Sequence, residues 1–383
     1  MMPFGGRTRW DAIVVGCGVM GSAVSYNLAR KGLKVLNIER FGVNHQRGSS
    51  HGMTRIIRLA YYEDPRYVPL LKRAFDSWRE VESKSGKKLL LMTGGLMIGR
   101  PDAKLVKGVL KSAEVHGLPR EVLSAADVGE RFGAFALPSE FEAVYEQNAG
   151  VLFAEDCVRA FVGLGSEAGC EFRFSEEVRG WKSRTDSVEV ETHLGRQTAS
   201  KLIFCAGPWN GKLLGGSVPL KCERQVPFWF PSGGQKRFTP TEMPIFIMEE
   251  GSGATYYGIP DVGQGVKVAR THGGAVVDPD SINREVTADD LSPVRDFVSK
   301  RMNGLDSQPV YSATCMYTNS PDLNFVVGQH PSEPKVTIVS ACSGHGFKFA
   351  SVLGEIISDM TVGGKVDYDV AFMSPDRFER KTG

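Results

Sequence analysis

The feature that most constrains the fold is a β-α-β pattern at the N-terminus. The apolar run "DAIVVG" at 11–16 predicts a buried strand, the next segment has helical spacing up to Gly32, and "LKVLNIER" at 33–40 predicts a second strand. The turn between the first strand and the helix holds three glycines spaced G-x-G-x-x-G, which are Gly16, Gly18 and Gly21. A strand, a glycine turn, a helix and a second strand form the unit that binds dinucleotides.

Each glycine of this turn has a physical reason to be there. The first permits the tight turn, the second lets the backbone approach a pyrophosphate, and the third lets the helix pack closely on the strand. The second strand ends near Glu39, where a carboxylate would accept hydrogen bonds from ribose hydroxyls. These signals predict an adenine dinucleotide site; the alternative is a glycine-rich turn followed by a surface glutamate.

The rest of the chain indicates a mixed architecture. The stretch "VTIVSACSGHGFKFASVLGEIISDM" predicts a buried strand, a glycine turn and a helix, which repeats the N-terminal order. Helical spacing occurs near 65–83, 102–117, 153–169 and 287–303, and the strand-rich segment 219–272 predicts an antiparallel sheet.

We therefore expect an α/β fold with mixed α+β character. Both ends of the chain would share one doubly wound, Rossmann-type domain, and the middle would form a mostly antiparallel-sheet domain. The expected bounds are 1–90, 150–215 and 320–383 for the discontinuous nucleotide-binding domain, and 91–149 and 216–319 for the second domain.

Composition and charge exclude several classes of protein. A net charge of +2 over 383 residues gives no broad basic surface, which argues against nucleic acid as the main ligand. None of the seven cysteines forms a Cys-x-x-Cys pair, so no metal site is expected, and their odd number argues against a disulfide framework. No apolar run approaches the roughly 20 residues of a membrane helix, and no signal peptide is recognisable. The sequence therefore predicts a cytoplasmic protein without a membrane segment.

Five stretches resemble the monomeric sarcosine oxidase family of FAD-dependent amine oxidases, which includes N-methyltryptophan and pipecolate oxidases. They are "VVGCGVMGSA", "GSSHGMTRIIR", "NAGVLFAED", "ATCMYT" and "SGHGFKF", and they follow one another in family order over nearly the full length. The resemblance implies that the doubly wound domain binds FAD and that the antiparallel domain binds the substrate. It also implies a small amino acid substrate, O2 as the oxidant and a monomeric protein.

By this resemblance, Cys315 in "ATCMYT" is the residue that bonds covalently to the flavin through its sulfur. Such an attack needs a thiolate in a locally positive, partly polar site; the alternative is an ordinary buried thiol. The resemblance also places Arg55 against the flavin, in the catalytic centre. The other residues expected to contact FAD are Gly16, Gly18, Gly21, Glu39, Ser50, Thr54, Gly344, Gly346, Phe347 and Lys348.

Two cations are expected to hold the substrate carboxylate. The resemblance assigns this role to Arg58 and Lys348, and the planar fork of an arginine matches a carboxylate bidentately. Arg55 and Arg58 are spaced i and i+3, so they would share one face of a helix but lie on opposite faces of a strand. Without the resemblance, the same pair would be interpreted as surface arginines.

Four further residues are expected in the catalytic centre by resemblance. Lys267 in "GVKVART" would promote the reaction with oxygen, because a fixed cation stabilises the negative charge that oxygen acquires; the alternative is a solvent-facing lysine. Tyr317 and Tyr257 would line the active site, Tyr257 also contacting the substrate, and the alternative for each is a half-buried aromatic residue. His345 is either a site residue or a turn former.

One departure from the family pattern concerns the substrate pocket. Relatives usually read Lys-x-x-x-His in the strand of Lys267, with the histidine facing the substrate, whereas this chain has Thr271 there and His272 one place later. A shift of one residue along a strand moves a side chain to the opposite face, so His272 cannot replace that histidine unless a bulge re-aims it. Thr271 is therefore expected to contact the substrate in an altered pocket.

These signals predict a flavin-dependent oxidase that acts on the C–N bond of a secondary amino acid, N-methylated or cyclic, and releases hydrogen peroxide. Two alternatives stay open: a flavin amine dehydrogenase that uses another electron acceptor, and a flavoprotein subunit of a larger complex. An NAD-dependent dehydrogenase would need only the N-terminal motif and would leave "CMYT" and "SGHGFK" unexplained.

Overall fold

The structure is a computed structural model that describes residues 9–378. The strands in that range are β1 (Arg9–Val15), β2 (Val35–Ile38), β3 (Thr54–Arg58), β4 (Leu90–Met92), β5 (Gly95–Gly99), β6 (Glu121–Ser124), β7 (Glu142–Glu146), β8 (Ala149–Phe153), β9 (Glu171–Arg173), β10 (Val178–Ser183), β11 (Val188–Thr192), β12 (Gly195–Phe204), β13 (Lys221–Gln225), β14 (Phe228–Phe230), β15 (Ile245–Glu249), β16 (Thr255–Ile259), β17 (Val266–Thr271), β18 (Tyr311–Ser312), β19 (Cys315–Asn319), β20 (Val326–His330) and β21 (Glu333–Ser340). The helices are α1 (Val19–Arg30), α2 (Val68–Ser85), α3 (Lys104–His116), α4 (Ala125–Phe132), α5 (Ala154–Glu167), α6 (Asn210–Leu213), α7 (Ala288–Arg301) and α8 (Ala350–Thr361).

A largely parallel sheet of eight strands is built from both ends of the chain. Its centre is the parallel run β9–β2–β1–β12–β21, to which β20, β11 and β10 add antiparallel strands. β2 is buried at every residue, as expected for a central parallel strand covered on both faces. α1 packs against α5 and α8, and α2 packs against α8. The expected doubly wound architecture is confirmed.

The two glycine turns of this sheet have the same geometry. At the end of β1, Gly16 has φ +97°, and a Cβ on Gly21 would lie 1.9 Å from the Gly16 carbonyl oxygen. After β21, a Cβ on Gly346 would lie 1.7 Å from the carbonyl oxygen of Ala341. Only glycine fits at such close approaches of backbone. Because β12 alone separates β1 from β21, both turns open at the same edge of the sheet.

The middle of the chain forms a second eight-stranded sheet, in the order β18–β14–β17–β16–β15–β5–β7–β6. All of its pairs are antiparallel except β5 with β15, which confirms the antiparallel prediction. Its core contains the aromatic side chains of Phe228, Phe246 and Phe297. The last of these belongs to α7, which begins after a capping box formed by Thr287 and Asp290.

Two smaller sheets complete the fold. One pairs β13 with β19, and the other has the order β3–β8–β4. The strands of the second small sheet fall on both sides of the expected domain bounds near 90 and 150, and those bounds stay a prediction. Among residues 9–378, no helix is long and apolar enough to cross a membrane.

Candidate active site

A cavity of about 1010 Å³ is lined by both glycine turns and by one face of the antiparallel sheet. Its walls also include the loop 44–52 and parts of β3 and β19. All the residues predicted for the site line this cavity except Gly21, which packs α1 on β1, and Thr54. Residues that are distant in the sequence therefore meet in one place.

Glu39 ends β2 at the nucleotide side of the cavity. Its Oε2 accepts a hydrogen bond from the backbone N–H of Cys17 at 2.7 Å, and its Oε1 accepts one from Phe41 at 2.8 Å. Burial alone would raise the pKa of Glu39, but His45, with Nε2 3.4 Å from Oε1, and these amides hold it below the usual value. The carboxylate is therefore fixed and charged, as a ribose-binding acid must be.

The same side of the cavity offers hydrogen-bonding groups that suit a dinucleotide. Ser50 Oγ accepts a hydrogen bond from Val19 N at 3.1 Å, at the start of α1, where a helix N-terminus favours a phosphate. Among the described residues, His51 Nε2 and Thr318 Oγ1 are buried without a hydrogen-bond partner, and both residues line the cavity. Because buried polar atoms require partners, the cavity fits a large polar cofactor such as FAD.

Arg55 is held by backbone carbonyl groups. Its guanidinium donates to the carbonyl oxygens of Ser49 at 2.8 Å, His51 at 2.6 Å and Thr54 at 2.7 Å, and it lies 5.6 Å from the centre of the Phe347 ring. These contacts fix a positive charge in the cavity wall. The interpretation as a surface arginine is wrong.

Lys267 is a buried lysine on β17, with 2% of its surface exposed. Its Nζ donates to the carbonyl oxygens of Gly52 at 2.8 Å and Thr54 at 2.9 Å, and it lies 4.9 Å from the centre of the Trp229 ring. Burial, followed by the charge of Arg55, lowers the pKa of Lys267 well below its usual value. The alternative of a solvent-facing lysine is excluded. The protonated form has three donors, so in that form Lys267 keeps one N–H for a ligand.

Cys315 begins β19 and is buried at the cavity wall. Lys267 and Arg284 are its basic neighbours, and the proximity of the thiol offsets part of the fall that burial causes in the pKa of each. The Ser49 hydroxyl donates to the carbonyl oxygen of Met316 at 2.7 Å and so fastens the loop 44–52 to β19. Two basic side chains beside a thiol fit the locally positive site that was expected for flavin attachment.

Arg55 and Arg58 both lie on β3. Of the two alternatives for this segment, a helix or a strand, the structure therefore shows the strand. At this spacing they project from opposite faces of the strand. Their guanidinium groups accordingly have no hydrogen-bond partner in common. The strand thus supplies two separate positive charges to one cavity.

Arg58 is buried, with 1% exposure, and already holds a carboxylate of its own chain. Its Nη2 donates to both oxygens of Glu63, at 2.8 and 2.7 Å, and its Nη1 donates to the Ala60 carbonyl oxygen at 2.8 Å. The guanidinium lies 4.3 Å from the ring centre of Tyr61 and 5.0 Å from that of Tyr62. Its Nε is buried and has no partner among the described residues. A bidentate carboxylate site is therefore present.

Lys348 is the second buried cation of this region, and its Nζ donates to the His345 carbonyl oxygen at 2.7 Å. Burial, followed by the nearby charge of Arg58, lowers the pKa of Lys348 to about 7. Burial alone would raise the pKa of Glu63, but the charge of Arg58, its hydrogen bonds and the nearby Lys348 keep it below its usual value. Two cations thus share a single carboxylate here.

Two tyrosines, Tyr257 on β16 and Tyr317 on β19, form part of the cavity wall. Burial raises the pKa of Tyr317 to about 12, although a hydrogen bond with Thr271 lowers it. Burial and then the proximity of Tyr317 raise the pKa of Tyr257 well above its usual value. Both phenols are neutral at ordinary pH. A Cβ on Gly344 would lie 2.7 Å from the Tyr317 ring, so the second glycine turn presses directly on this wall.

Both ring nitrogens of His345 are engaged within the protein. Nδ1 lies 2.6 Å from the Tyr61 hydroxyl, and Nε2 lies 3.0 Å from the Leu323 carbonyl oxygen. A carbonyl only accepts, so Nε2 carries the proton and Nδ1 accepts from the tyrosine. Burial lowers the pKa of His345 to about 4, which makes it neutral. These contacts favour a role in shaping the turn.

The sequence interpretation missed Glu63, Tyr62 and Trp229, whose partners are visible only in the fold. Glu63 is five residues after Arg58, beyond the end of β3, and no periodicity relates the two. Trp229 is opposite Lys267 in the β14–β17 pair, which brings together strands far apart in sequence. The one signal in the sequence for the Arg58 pair was that an acidic residue, Glu63, follows this predicted substrate-binding arginine closely.

Residues 11–360 match the family described as FAD dependent oxidoreductase. The chain is 40% identical over 374 residues to a monomeric sarcosine oxidase of Streptomyces avermitilis, covering 96% of this chain and 97% of that protein. It is 33% identical over 374 residues to the N-methyl-L-tryptophan oxidase of Escherichia coli K12, covering 97% of this chain and 100% of that protein. The predicted family resemblance is confirmed.

Solved structures agree on the fold. The open form of NikD, an amino acid oxidase essential for nikkomycin biosynthesis, superposes with a TM-score of 0.86 at 23% identity, over 96% of this chain and 98% of that one. An L-proline dehydrogenase from P. horikoshii superposes with a TM-score of 0.84 at 21% identity, over 98% of this chain and 99% of that one. At such identities the likeness concerns the fold alone.

Proposed function

The chain belongs to the family of FAD-dependent oxidoreductases, and on that premise we propose that it is an oxidase of the C–N bond of a secondary amino acid, N-methylated or cyclic. One observation carries the proposal: the buried cations Arg58 and Lys348 share a cavity with Cys315 and Lys267. Paired cations suit a carboxylate, and an amino acid brings that carboxylate next to the reacting nitrogen.

FAD, when bound, would supply the two-electron redox chemistry between the substrate and O2. In the overall reaction the amino acid loses two electrons and two protons as its C–N bond becomes C=N. Water hydrolyses this imine to a carbonyl compound and an amine, while O2 gains the two electrons and two protons and becomes hydrogen peroxide. The neutral phenols of Tyr257 and Tyr317 and the engaged imidazole of His345 are poor bases. The amino acid therefore enters with its nitrogen already neutral.

The substrate carboxylate takes the place of Glu63 beside Arg58. Exchanging one carboxylate for another keeps the buried guanidinium paired, and the displaced Glu63, 18% exposed, still has the basic group of Lys348 nearby. The unpartnered Nε–H of Arg58 and the ammonium group of Lys348 offer further donors. Tyr257 and Thr271 line the part of the cavity where the rest of the amino acid would lie.

The cofactor is proposed to be covalent, through Cys315. Its Sγ would bond to a ring methyl carbon, replacing one S–H and one C–H bond, and the two electrons and two protons released would reduce O2 to hydrogen peroxide. The basic side chains of Lys267 and Arg284 near the thiol support this step, because the attack was expected to need a locally positive site. Glu39, Ser50 and the glycine turn would hold the dinucleotide part.

Lys267 is proposed to promote the oxygen reaction. Two backbone carbonyls fix its Nζ, and the remaining N–H can stabilise negative charge that develops on oxygen in a buried site. This favours an oxidase over a dehydrogenase with another acceptor. A monomeric state, as in the name of the sarcosine oxidase relative, and a cytoplasmic location stay predictions.

The test starts from the purified protein and its visible spectrum. After acid precipitation, yellow colour in the pellet that a Cys315→Ala variant releases would support the covalent anchor, and free FAD in the supernatant would contradict it. Peroxide is then assayed with N-methyl and cyclic amino acids. Anaerobic bleaching of the flavin without peroxide in air would indicate a dehydrogenase. No bleaching by any amino acid would contradict the proposed function.

A further inference from the structure

A carboxylate–imidazole pair, Glu223 with His272, lies beside Tyr317 near the cavity rim. In the β13–β19 ladder, Glu223 is directly opposite Tyr317, and Gln225 is opposite Cys315. Opposite residues of an antiparallel pair share one face of the sheet. Glu223 therefore projects on the same side as Tyr317 and Cys315, which both line the cavity.

The backbone after β17 re-aims His272. A regular strand would send it to the face opposite Thr271, but His272 has φ 58°, in the left-handed region that few non-glycine residues adopt. The bend places its ring against Tyr317, with ring centroids 5.3 Å apart, and both Thr271 and His272 line the cavity. The β16–β17 register is regular up to Thr271, so a bend after the end of the strand redirects His272, and not the bulge that was considered from the sequence.

Glu223 is fixed by donors and not by a strong cation. Its Oε1 accepts from Gln225 Nε2 and Gly274 N, each at 2.8 Å, and its Oε2 accepts from Asn319 Nδ2. Within residues 9–378, His272 is its one basic neighbour, with Nδ1 3.4 Å from Oε2. Glu223 is 7% exposed, and its carboxylate lies next to the imidazole.

The hydrogen bond to Glu223 decides what His272 presents to the cavity. A carboxylate acceptor holds the proton of a neutral imidazole on Nδ1 and leaves Nε2 as an acceptor. No residue between 9 and 378 hydrogen-bonds to Nε2 of His272. One third of the His272 side chain (33%) is exposed, and the residue lines the cavity.

We propose that Nε2 of His272 accepts a hydrogen bond from the side chain of the amino acid substrate and thereby selects substrates whose side chain carries an O–H or N–H donor. This inference rests on the proposed function, in which Arg58 and Lys348 take the carboxylate. The charge of Glu223 strengthens the acceptor and disfavours acidic side chains. The preferred class is thus secondary amino acids with a neutral or cationic donor at the end of the side chain.

Matched substrates test the proposal. N-methyl-L-tyrosine is compared with N-methyl-L-phenylalanine, and α-N-methyl-L-lysine with N-methyl-L-norleucine, by kcat/KM for peroxide and by the rate of anaerobic flavin bleaching. In the native protein, we expect kcat/KM to be about tenfold higher for the substrate with the donor in each pair. The factor is modest because a partly exposed hydrogen bond is weaker than a buried one. The His272→Phe variant should bring both ratios to about one, because it removes the acceptor.

Two further variants keep the test independent of folding. His272→Asn retains a carbonyl acceptor and tolerates the left-handed backbone, so it should keep part of the preference. Glu223→Gln should give an intermediate ratio, because the imidazole loses its charged acceptor. The matched control is Val276→Ala, a 68% exposed side chain in the loop that follows, which should leave both ratios as in the native protein.

The outcomes separate the inference from its premise. Bleaching by all four substrates without a donor preference, or an unchanged preference in His272→Phe, would overturn the role of His272 and leave the oxidase proposal standing. Preference for the hydroxyl without preference for the ammonium group would restrict the class to neutral donors. If none of the four bleaches the flavin, the proposed function is wrong and this inference falls with it.

Discussion

The nucleotide side and the substrate side of the cavity are built in different ways. Around Glu39 and Ser50, short sequence segments provide backbone N–H groups, close-packed glycines and a helix N-terminus. Around Arg58 and Lys348, the functional atoms are the basic groups of buried side chains, and Arg58 is paired with the carboxylate of Glu63 in the turn that follows β3. The first side relies on the backbone and the second on paired side chains.

This difference predicts how each side responds to substitution. Backbone donors are many and individually replaceable, so the loss of one side chain leaves most of the cofactor contacts in place. A buried charge that loses its partner costs far more, because nothing else compensates it. Substitutions should therefore be severe at the substrate side and mild at the nucleotide side.

The largest effect is expected for Arg58→Met. The variant removes the bidentate carboxylate site and leaves Glu63 buried without its main partner, so kcat/KM for the amino acid should fall about 10³-fold. The matched control is Arg66→Met in the same segment, whose pair with Asp64 is exposed and should matter little. Steady-state peroxide production compares the two. Equal losses in both variants would break the contrast between buried and exposed pairs.

The next effect concerns oxygen. Lys267→Met removes the buried donor held by Gly52 and Thr54, and the reaction with O2 should slow by about 10²-fold. Stopped-flow spectroscopy resolves flavin reduction by the amino acid from reoxidation by O2, and the loss should fall mainly on reoxidation. Lys221→Met, at an exposed position of β13, serves as the control. A loss confined to reduction would place Lys267 at the substrate side instead.

The same contrast explains what the sequence could predict. Gly16, Gly21 and Glu39 were identified from local spacing, and the structure places them as the β-α-β pattern requires. The family stretches located Arg58 and Lys348, but nothing in them indicated that Arg58 already binds Glu63. Such a pair depends on how β3 leads into the following turn, which is a tertiary property.

The segment after Lys267 shows more clearly what could not be predicted from the sequence alone. Strand alternation predicted correctly that His272 could not follow Thr271 into the pocket along a regular strand. The left-handed conformation that redirects it is uncommon for any residue other than glycine, so it was not anticipated from the sequence. Glu223 was missed because its relation to Tyr317 exists only through the register of β13 with β19.

A moderate effect is expected from pH at the substrate side. Lys348 has a pKa of about 7. Below that pH its side chain is charged and attracts a carboxylate, whereas above that pH it is a neutral amine and does not. The dissociation constant of a carboxylic acid without an amine, such as 3-methylbutanoate, should therefore rise by up to about tenfold between about pH 6 and about pH 8. Titration of the flavin spectrum measures it. In the Lys348→Met variant, the dissociation constant should change little with pH. If it changed as steeply as in the native protein, another titrating group would be responsible.

The smallest effect is expected at the nucleotide side, for Glu39→Gln. The amide oxygen can still accept one backbone hydrogen bond, from Cys17 or Phe41, but the amide nitrogen opposes the other, so FAD affinity should fall about threefold to tenfold. A covalent link would hide this change, and the measurement is made by FAD titration in a Cys315→Ala background. Glu177→Gln, an exposed acid at the same side of the cavity, is the control. A loss as large as that expected for Arg58→Met would mean that the nucleotide side also depends on a single paired charge, and the comparison between the two sides would fail.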